Sequence, residues 1–323
     1  MSATTPDRAR PEPATPAPAP GTARPVARRR RGPRWTPYLL LIPVLAVLAA
    51  GLGYPLFWQG VTSLQKFGLA QQFGQPPEFV GLDNYVRIFT DDRLWAVVAR
   101  SIAFCLVNAF ATVGLGVLFA LLMKAVHPVV RIVLQVALLL AWAMPMVAAV
   151  TVWKWLFDWR TGVINWLLVQ VGLDYHQHDW LANPLSFFFV ATVIIVWMSV
   201  PFVALSVYAA LTQVSDEVLE AARIDGAGPA RILWNITLPL IRPVLSIVLL
   251  LQIIWDLRVF AQIRLLQDAG APVSSTNLLG NFIFELGIGS QDFAGAAAVS
   301  IMVLVLTVLL SWPYVRNLMK EDA

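Results

Sequence analysis

Charge is what this chain has least of. Only 13% of its 323 residues are Asp, Glu, Lys or Arg, against about 25% in soluble domains. With 58% hydrophobic residues and a mean hydropathy of +0.70, that scarcity excludes an ordinary soluble fold. Cysteine is also nearly missing. The single one, Cys105, lies in an apolar run, so no intrachain disulfide can form and a small core residue is expected. There is no G-x-x-x-x-G-K-[ST] loop, so the chain lacks the phosphate cradle that ATP hydrolysis of that type needs. There is no H-E-x-x-H, and the only histidines are His127, His176 and His178. His176 and His178 flank Gln177 beside Asp174 and Asp179, but no further ligand follows at metal spacing, so a polar loop is expected and no metal site. No Ser/His or paired-Asp arrangement gives a catalytic frame. The reading is therefore not an enzyme, with no cofactor of its own. The net charge of +4 comes from one terminal segment and forms no basic face, which excludes nucleic acid as a partner.

What is present is apolar length. Six segments stand out, at about 37–59, 95–123, 131–156, 185–211, 241–263 and 293–315. Each has about 20 residues or more, enough to cross about 30 Å of hydrocarbon at 1.5 Å per residue. Backbone groups in lipid must pair within their own segment, so these are predicted helices. The fold class is an all-α integral membrane protein with six transmembrane helices. Residues 1–36 are rich in Pro, Ala and Arg and hold eight arginines against Asp7 and Glu12. That composition predicts a disordered basic tail lying on anionic membrane lipid, followed by a permeating domain over 37–323. Placing both termini inside puts fifteen of the 23 basic residues on the cytosolic side.

Between the fourth and fifth segments lies a polar island, EAARIDGAGPARILWNITLP, from Glu220 to Pro239. Ser215 is placed to N-cap a short helix, with Asp216 and Glu217 in its first turn. Gly226 and Gly228 permit a turn, Pro229 suits the first position of a second helix, and Pro239 and Pro243 punctuate the entry to the next span. The spacing is Glu220-Ala221-Ala222, three residues, Gly226, nine residues, Ile236-Thr237-Leu238-Pro239. It resembles the EAA loop of ABC-importer inner-membrane permeases, in which a coupling helix docks on a cytosolic ATPase. The resemblance implies a cytosolic coupling loop at about 212–240, with Glu220, Ala221, Ala222, Asp225 and Gly226 as the coupling residues.

Two weaker motifs agree. Phe79-Val80-Gly81-Leu82-Asp83-Asn84-Tyr85 resembles the F-x-G-L-x-N-Y segment of maltose-type sugar permeases, and Gln291-Asp292-Phe293-Ala294-Gly295-Ala296-Ala297 opens the last span as that family does. Asp268-Ala269-Gly270-Ala271-Pro272 stands where the family often has Gly-Gly-Pro, a departure that leaves that turn's geometry open. The resemblance covers about residues 37–320.

Polar and aromatic groups share one depth. At 1.5 Å per residue, Trp142 and Gln252 lie roughly 16 Å above the inner face, Ser199 roughly 18 Å and Asp256 roughly 22 Å. Pro145 and Pro201 loosen their helices near that level. Transporters bind substrate there. The maltose-permease resemblance implies path-lining positions at Trp142, Met146, Met198, Ser199, Phe202, Gln252 and Asp256. The aromatic rings would stack on sugar faces and the polar groups would pair with hydroxyls. Trp255 and Arg258 are expected to point elsewhere on the same helix. Helix packing is the competing role for each of these residues.

The resemblance thus implies the translocation subunit of a binding-protein-dependent, ATP-driven importer in a bacterial plasma membrane. Its implied partners are a second permease, two ATPase subunits that hold ATP and Mg, and an extracytoplasmic binding protein. The substrate expected is a sugar or short oligosaccharide. The segment Ile254 to Phe260 is similar to actinobacterial permeases for chitobiose-like or cellobiose-like sugars. Two alternatives stay open: a permease for another solute such as glycerol phosphate, and an ion-coupled secondary transporter.

Overall fold

The structure, a computed structural model, describes the backbone of residues 36–321 and the side chains of residues 38–312 and 316. The expected basic tail lies outside these residues. The chain divides into two units that meet between Tyr54 and Pro55. The described part of the first is α1 (Thr36–Leu48) and a π-helical stretch, Ala49–Gly53.

The helix α2 (Tyr54–Ser63) starts at the last residue of the first unit, and the second unit continues with the strand β1 (Gln65–Lys66), α3 (Leu69–Gln72), the strand β2 (Glu78–Phe79) and α4 (Asp83–Phe89). β1 and β2 pair antiparallel, with Gln65 opposite Phe79. The F-x-G-L-x-N-Y segment closes this turn. Gly81 takes a φ of +62°, open to a residue without Cβ, and buried Asn84 donates through Nδ2 to Ser63 O (2.9 Å) and Gln65 O (2.8 Å).

The core is α5 (Asp92–Ala125) against α9 (Pro184–Thr212). Asp91 caps α5 by accepting from the Arg93 amide, and the Arg93 side chain beside it holds its carboxyl below the ordinary range. Asn108 meets Thr192, Gly116 meets Val203, and Lys124 meets the Leu211 carbonyl, so the two helices run in the same direction. Gly116 is required. A Cβ there would sit 2.5 Å from Val203 Cγ1 and 2.8 Å from Val203 Cβ. Small residues at such crossings let membrane helices approach closely.

Between them come α6 (Pro128–Trp142), α7 (Met146–Leu156) and α8 (Val163–Gln170). After α9 follow α10 (Asp216–Ile224), α11 (Pro229–Ile232), a π-helical stretch Leu233–Thr237, α12 (Leu238–Leu240) and α13 (Arg242–Leu257). The chain ends with α14 (Ala261–Gln267), α15 (Val273–Thr276), α16 (Leu279–Phe284) with its π-helical extension Glu285–Gly289, and α17 (Phe293–Glu321). Gly270, in the turn left open by the sequence, has a φ of +116°. Arg87 pairs with Asp292 at 2.7 Å, and Asp292 accepts from the Gly295 amide, which ties α4 to the start of α17.

Among the described residues, four helices are singly long and apolar enough to cross a membrane: Tyr38–Ser63, Asp92–Ala125, Pro184–Thr212 and Phe293–Trp312. The count reaches six when each of two bent pairs is taken as one span. Two of the six expected segments are thus broken by a bend. The segment expected over 131–156 bends by 100° between Trp142 and Met146. Pro145 has no amide to continue α6 and disfavours helix at Met144 before it; it serves as the N-cap of α7 instead. The segment expected over 241–263 stops at Leu257, and its start lies beyond a 71° bend from Pro229–Leu240. α16 holds the break open. Gly280 brings a backbone against Val259 O and Phe260 Cβ, each 3.3 Å from where its own Cβ would stand, and Asn281 Nδ2 donates to Phe260 O at 3.2 Å. Pro201, by contrast, leaves α9 unbroken and lies buried inside it.

Candidate functional site: the coupling loop and the mid-depth residues

The motif residues fold into a helix, a turn and a helix. α10 buries Leu219 and Ala222, and turns Glu220, Ala221 and Asp225 outward, with Ile224 86% exposed. The two sides follow from the helical period, which puts residues i, i+3 and i+4 on one face. Ser215 precedes α10 but its side chain makes no capping hydrogen bond, so the first turn has only the charge of Asp216 and Glu217 to favour it. The C-terminal end is closed by a Schellman arrangement. Gly226, at φ +80°, donates its amide to Arg223 O (3.0 Å), and Ala227 donates to Ala222 O (2.9 Å). Gly226 therefore lets the chain reverse, and Pro229 opens α11 where no amide is needed. The loop then passes through the π-helical stretch ahead of Pro239, whose ring and missing amide displace the regular ladder.

The seven mid-depth residues separate into two groups. The first is aromatic and accessible. Trp142, the last residue of α6, is 55% exposed, and its ring stacks on Phe202 of α9 at a centroid distance of 6.4 Å. Phe202 meets Trp255 of α13 edge-on at 5.2 Å. Three helices thus present a ladder of rings, and Trp255, set aside in the sequence, is its third member. Its position one residue before Asp256 was the available signal. Met146 begins α7, and Met198 and Ser199 lie on α9; all three are half-buried, and the two methionines pack against the cluster around Phe187 and Ile194.

The second group is sealed. Gln252 and Asp256 are 0% and 3% exposed, and Gln252 Nε2 donates to Asp256 Oδ1 at 3.1 Å. Cys105 Sγ meets Ile253 O at 3.4 Å, which sets the level at which α13 passes α5. One turn along α5, buried Asn108 donates to Phe104 O at 2.7 Å. Gln252 Oε1, Asp256 Oδ2 and Asn108 Oδ1 have no hydrogen-bond partner among the described residues. Both amides are oriented by what they donate to, so their bare atoms are carbonyl oxygens, and Asp256 adds a bare carboxyl oxygen.

A family model described as the binding-protein-dependent transport system inner membrane component matches residues 112–316. The chain belongs to this family. The permease is 40% identical to the diacetylchitobiose uptake system permease protein DasB of Streptomyces coelicolor over 287 residues, covering 88% of this chain and 87% of that one. It is 31% identical to the trehalose/maltose transport system permease protein MalF of Thermococcus litoralis, covering 86% and 92%. The permease shares its fold with a chain of a bacterial alginate ABC transporter, crystallised with an alginate-bound periplasmic protein. The TM-score is 0.72 at 21% identity, over 85% of this chain and 91% of that one. The family places the permease in the inner membrane as a component of a transport system.

Proposed function

We propose that the permease is the translocation subunit of an ATP-driven importer for a short oligosaccharide of the diacetylchitobiose type. The 40% identity to DasB across nearly nine-tenths of each chain carries this reading. The ring ladder Trp142–Phe202–Trp255 supports it, because flat aromatic faces suit the C–H faces of pyranose rings.

The path is formed with a second, different permease, and each bent pair counts as one span, which gives six spans with both termini in the cytosol. α10 is the coupling helix. Its exposed residues Glu220, Ala221 and Asp225 meet a groove on one of two ATPase subunits, and Gly226 supplies the reversal that lets the loop enter. ATP and Mg are held by those subunits, and an extracytoplasmic binding protein delivers the sugar. Closure of the ATPases moves α10, and the bend at Ile241 passes that movement to α13.

Deletion of the gene followed by complementation tests the reading. Uptake of labelled diacetylchitobiose is expected to fall on deletion and return with the intact chain. Restored uptake of glycerol phosphate, with none of the disaccharide, would replace the proposed substrate.

A further inference from the structure

Beneath the coupling helix lies a pocket of about 470 Å³, lined by Leu121 and Lys124 of α5, Leu211 of α9, Leu219 and Arg223 of α10, and Thr237 ahead of α12. Its volume falls in the range of ligand sites, about 300–1,000 Å³. The charged residues in its lining are Lys124 and Arg223, and no Asp or Glu lines it. Among the described residues Lys124 Nζ has one partner, the Leu211 carbonyl at 3.3 Å, which leaves ammonium donors over. Among the described residues, Arg223 forms no ion pair. Arg131 nearby is different: its guanidinium is engaged by Met123 O (2.7 Å) and Val126 O (3.3 Å) at the end of α5. The remaining walls are largely apolar, including Leu121, Leu211 and Leu219.

Arg223 follows Leu219 by one helical turn and lines the pocket from the exposed flank of α10, one turn from Glu220, whereas Ile224 projects from the side away from Leu219 and Ala222. One side of the helix is thus left for a protein partner, and the other faces the ends of the spans.

We propose that this pocket binds a phosphoryl anion, with Lys124 and Arg223 taking its oxygens and the apolar wall taking the carbon chain attached to it. The headgroup of an anionic phospholipid has this chemistry, and so does free phosphate. Basic pockets between helices on the cytosolic side are where such headgroups lodge, and the lipid source rests on the cytosolic placement of α10 proposed above. A bound headgroup holds α10 against the ends of α5 and α9, so membrane composition sets how readily the coupling helix moves.

The test uses the purified transporter in nanodiscs, read without ATP turnover, so that failure of the coupling role does not affect it. One arm counts retained phosphatidylglycerol by native mass spectrometry. The other titrates inorganic phosphate into phosphatidylcholine discs and follows the melting temperature. Wild type is expected to retain a phosphatidylglycerol that R223Q and K124Q release, with affinity reduced roughly tenfold or more, as loss of a charge-assisted hydrogen bond requires. Saturable stabilisation by phosphate alone, lost in R223Q, assigns the same site to a soluble phosphoryl group. Equal lipid retention and equal phosphate response in wild type and both variants overturn the site. Should the variants not assemble, hydrogen exchange of wild type decides: residues 219–237 are protected by phosphatidylglycerol or phosphate if the proposal holds, and protection by neither overturns it.

Discussion

Gln252 and Asp256 stand one turn apart on α13 and hydrogen-bond to each other at 3.1 Å inside the protein. The pair is held by one neutral donor, and each residue keeps an oxygen with no partner among the described residues. Such a pair depends on both members. Asp256→Leu strands the Gln252 amide and costs about 1–3 kcal/mol. Asp256→Asn keeps an acceptor for it and costs less. Melting temperatures of the two purified variants should differ in that order; equal melting would show that the hydrogen bond carries no stability.

The aromatic ladder makes a separate prediction. Trp255→Ala removes its outer ring without touching the Gln252–Asp256 pair. With ring contacts worth about 0.5–1.5 kcal/mol, half-saturation for sugar uptake should rise roughly two- to tenfold at unchanged membrane abundance. Trp142→Ala should behave alike. An unchanged uptake curve for both would assign the rings to packing alone.

Gly116 and Gly114 lie on the same helix and answer differently. A side chain at Gly116 meets Val203, whereas a Cβ at Gly114 meets nothing within 4 Å. Gly116→Leu is expected to destabilise by about 1–3 kcal/mol through overpacking, and Gly114→Ala to be neutral or slightly stabilising. Thermal denaturation in detergent compares them, and equal effects would mean that the α5–α9 contact is not close.

Glu220→Lys should abolish uptake while the chain remains in the membrane at normal abundance, because Glu220 is exposed on α10 and forms no ion pair among the described residues. Normal uptake by this variant would remove Glu220 from the coupling role.

In the turn after α7, the Thr161 amide and hydroxyl and the Arg160 amide all donate to Asp158, and these bonds, the Thr161 amide first, hold its carboxyl below the ordinary range. The folded state thus binds this proton less readily than the unfolded chain. The turn's contribution is complete above the ordinary carboxylate range and is lost as pH falls through the lowered value. Protection factors of residues 157–162, with the intrinsic exchange rate at each pH divided out, should fall on acidification in wild type and stay constant in Asp158→Asn.

The fold was legible where a single physical demand dominated. Long apolar runs marked α5, α9 and α17, and the glycine and proline spacing of residues 220–239 marked a helix, a turn and a helix. Apolar length could not report bends. The break at Pro145 needed the proline's local demand to outweigh the run around it, and the end of α13 at Leu257 depends on Gly280 and Asn281, which come from elsewhere in the chain. Helical depth placed Trp142, Ser199, Gln252 and Asp256 near one level but not by side. It could not separate exposed Trp142 from sealed Gln252, nor bring Trp255 to Phe202, because both depend on which neighbour each helix meets. Ser215 was legible as a cap by residue type, yet its side chain makes no such bond.

A mild-detergent pull-down of the chain from its native membrane tests the central claim most directly. Recovery of an ATPase and a second permease with it is the predicted result, and a binding protein added to that complex should make its ATPase respond to the disaccharide. Recovery of the chain alone, transporting in ATP-free vesicles under an ion gradient, would contradict the account and make Asp256 a coupling carboxylate.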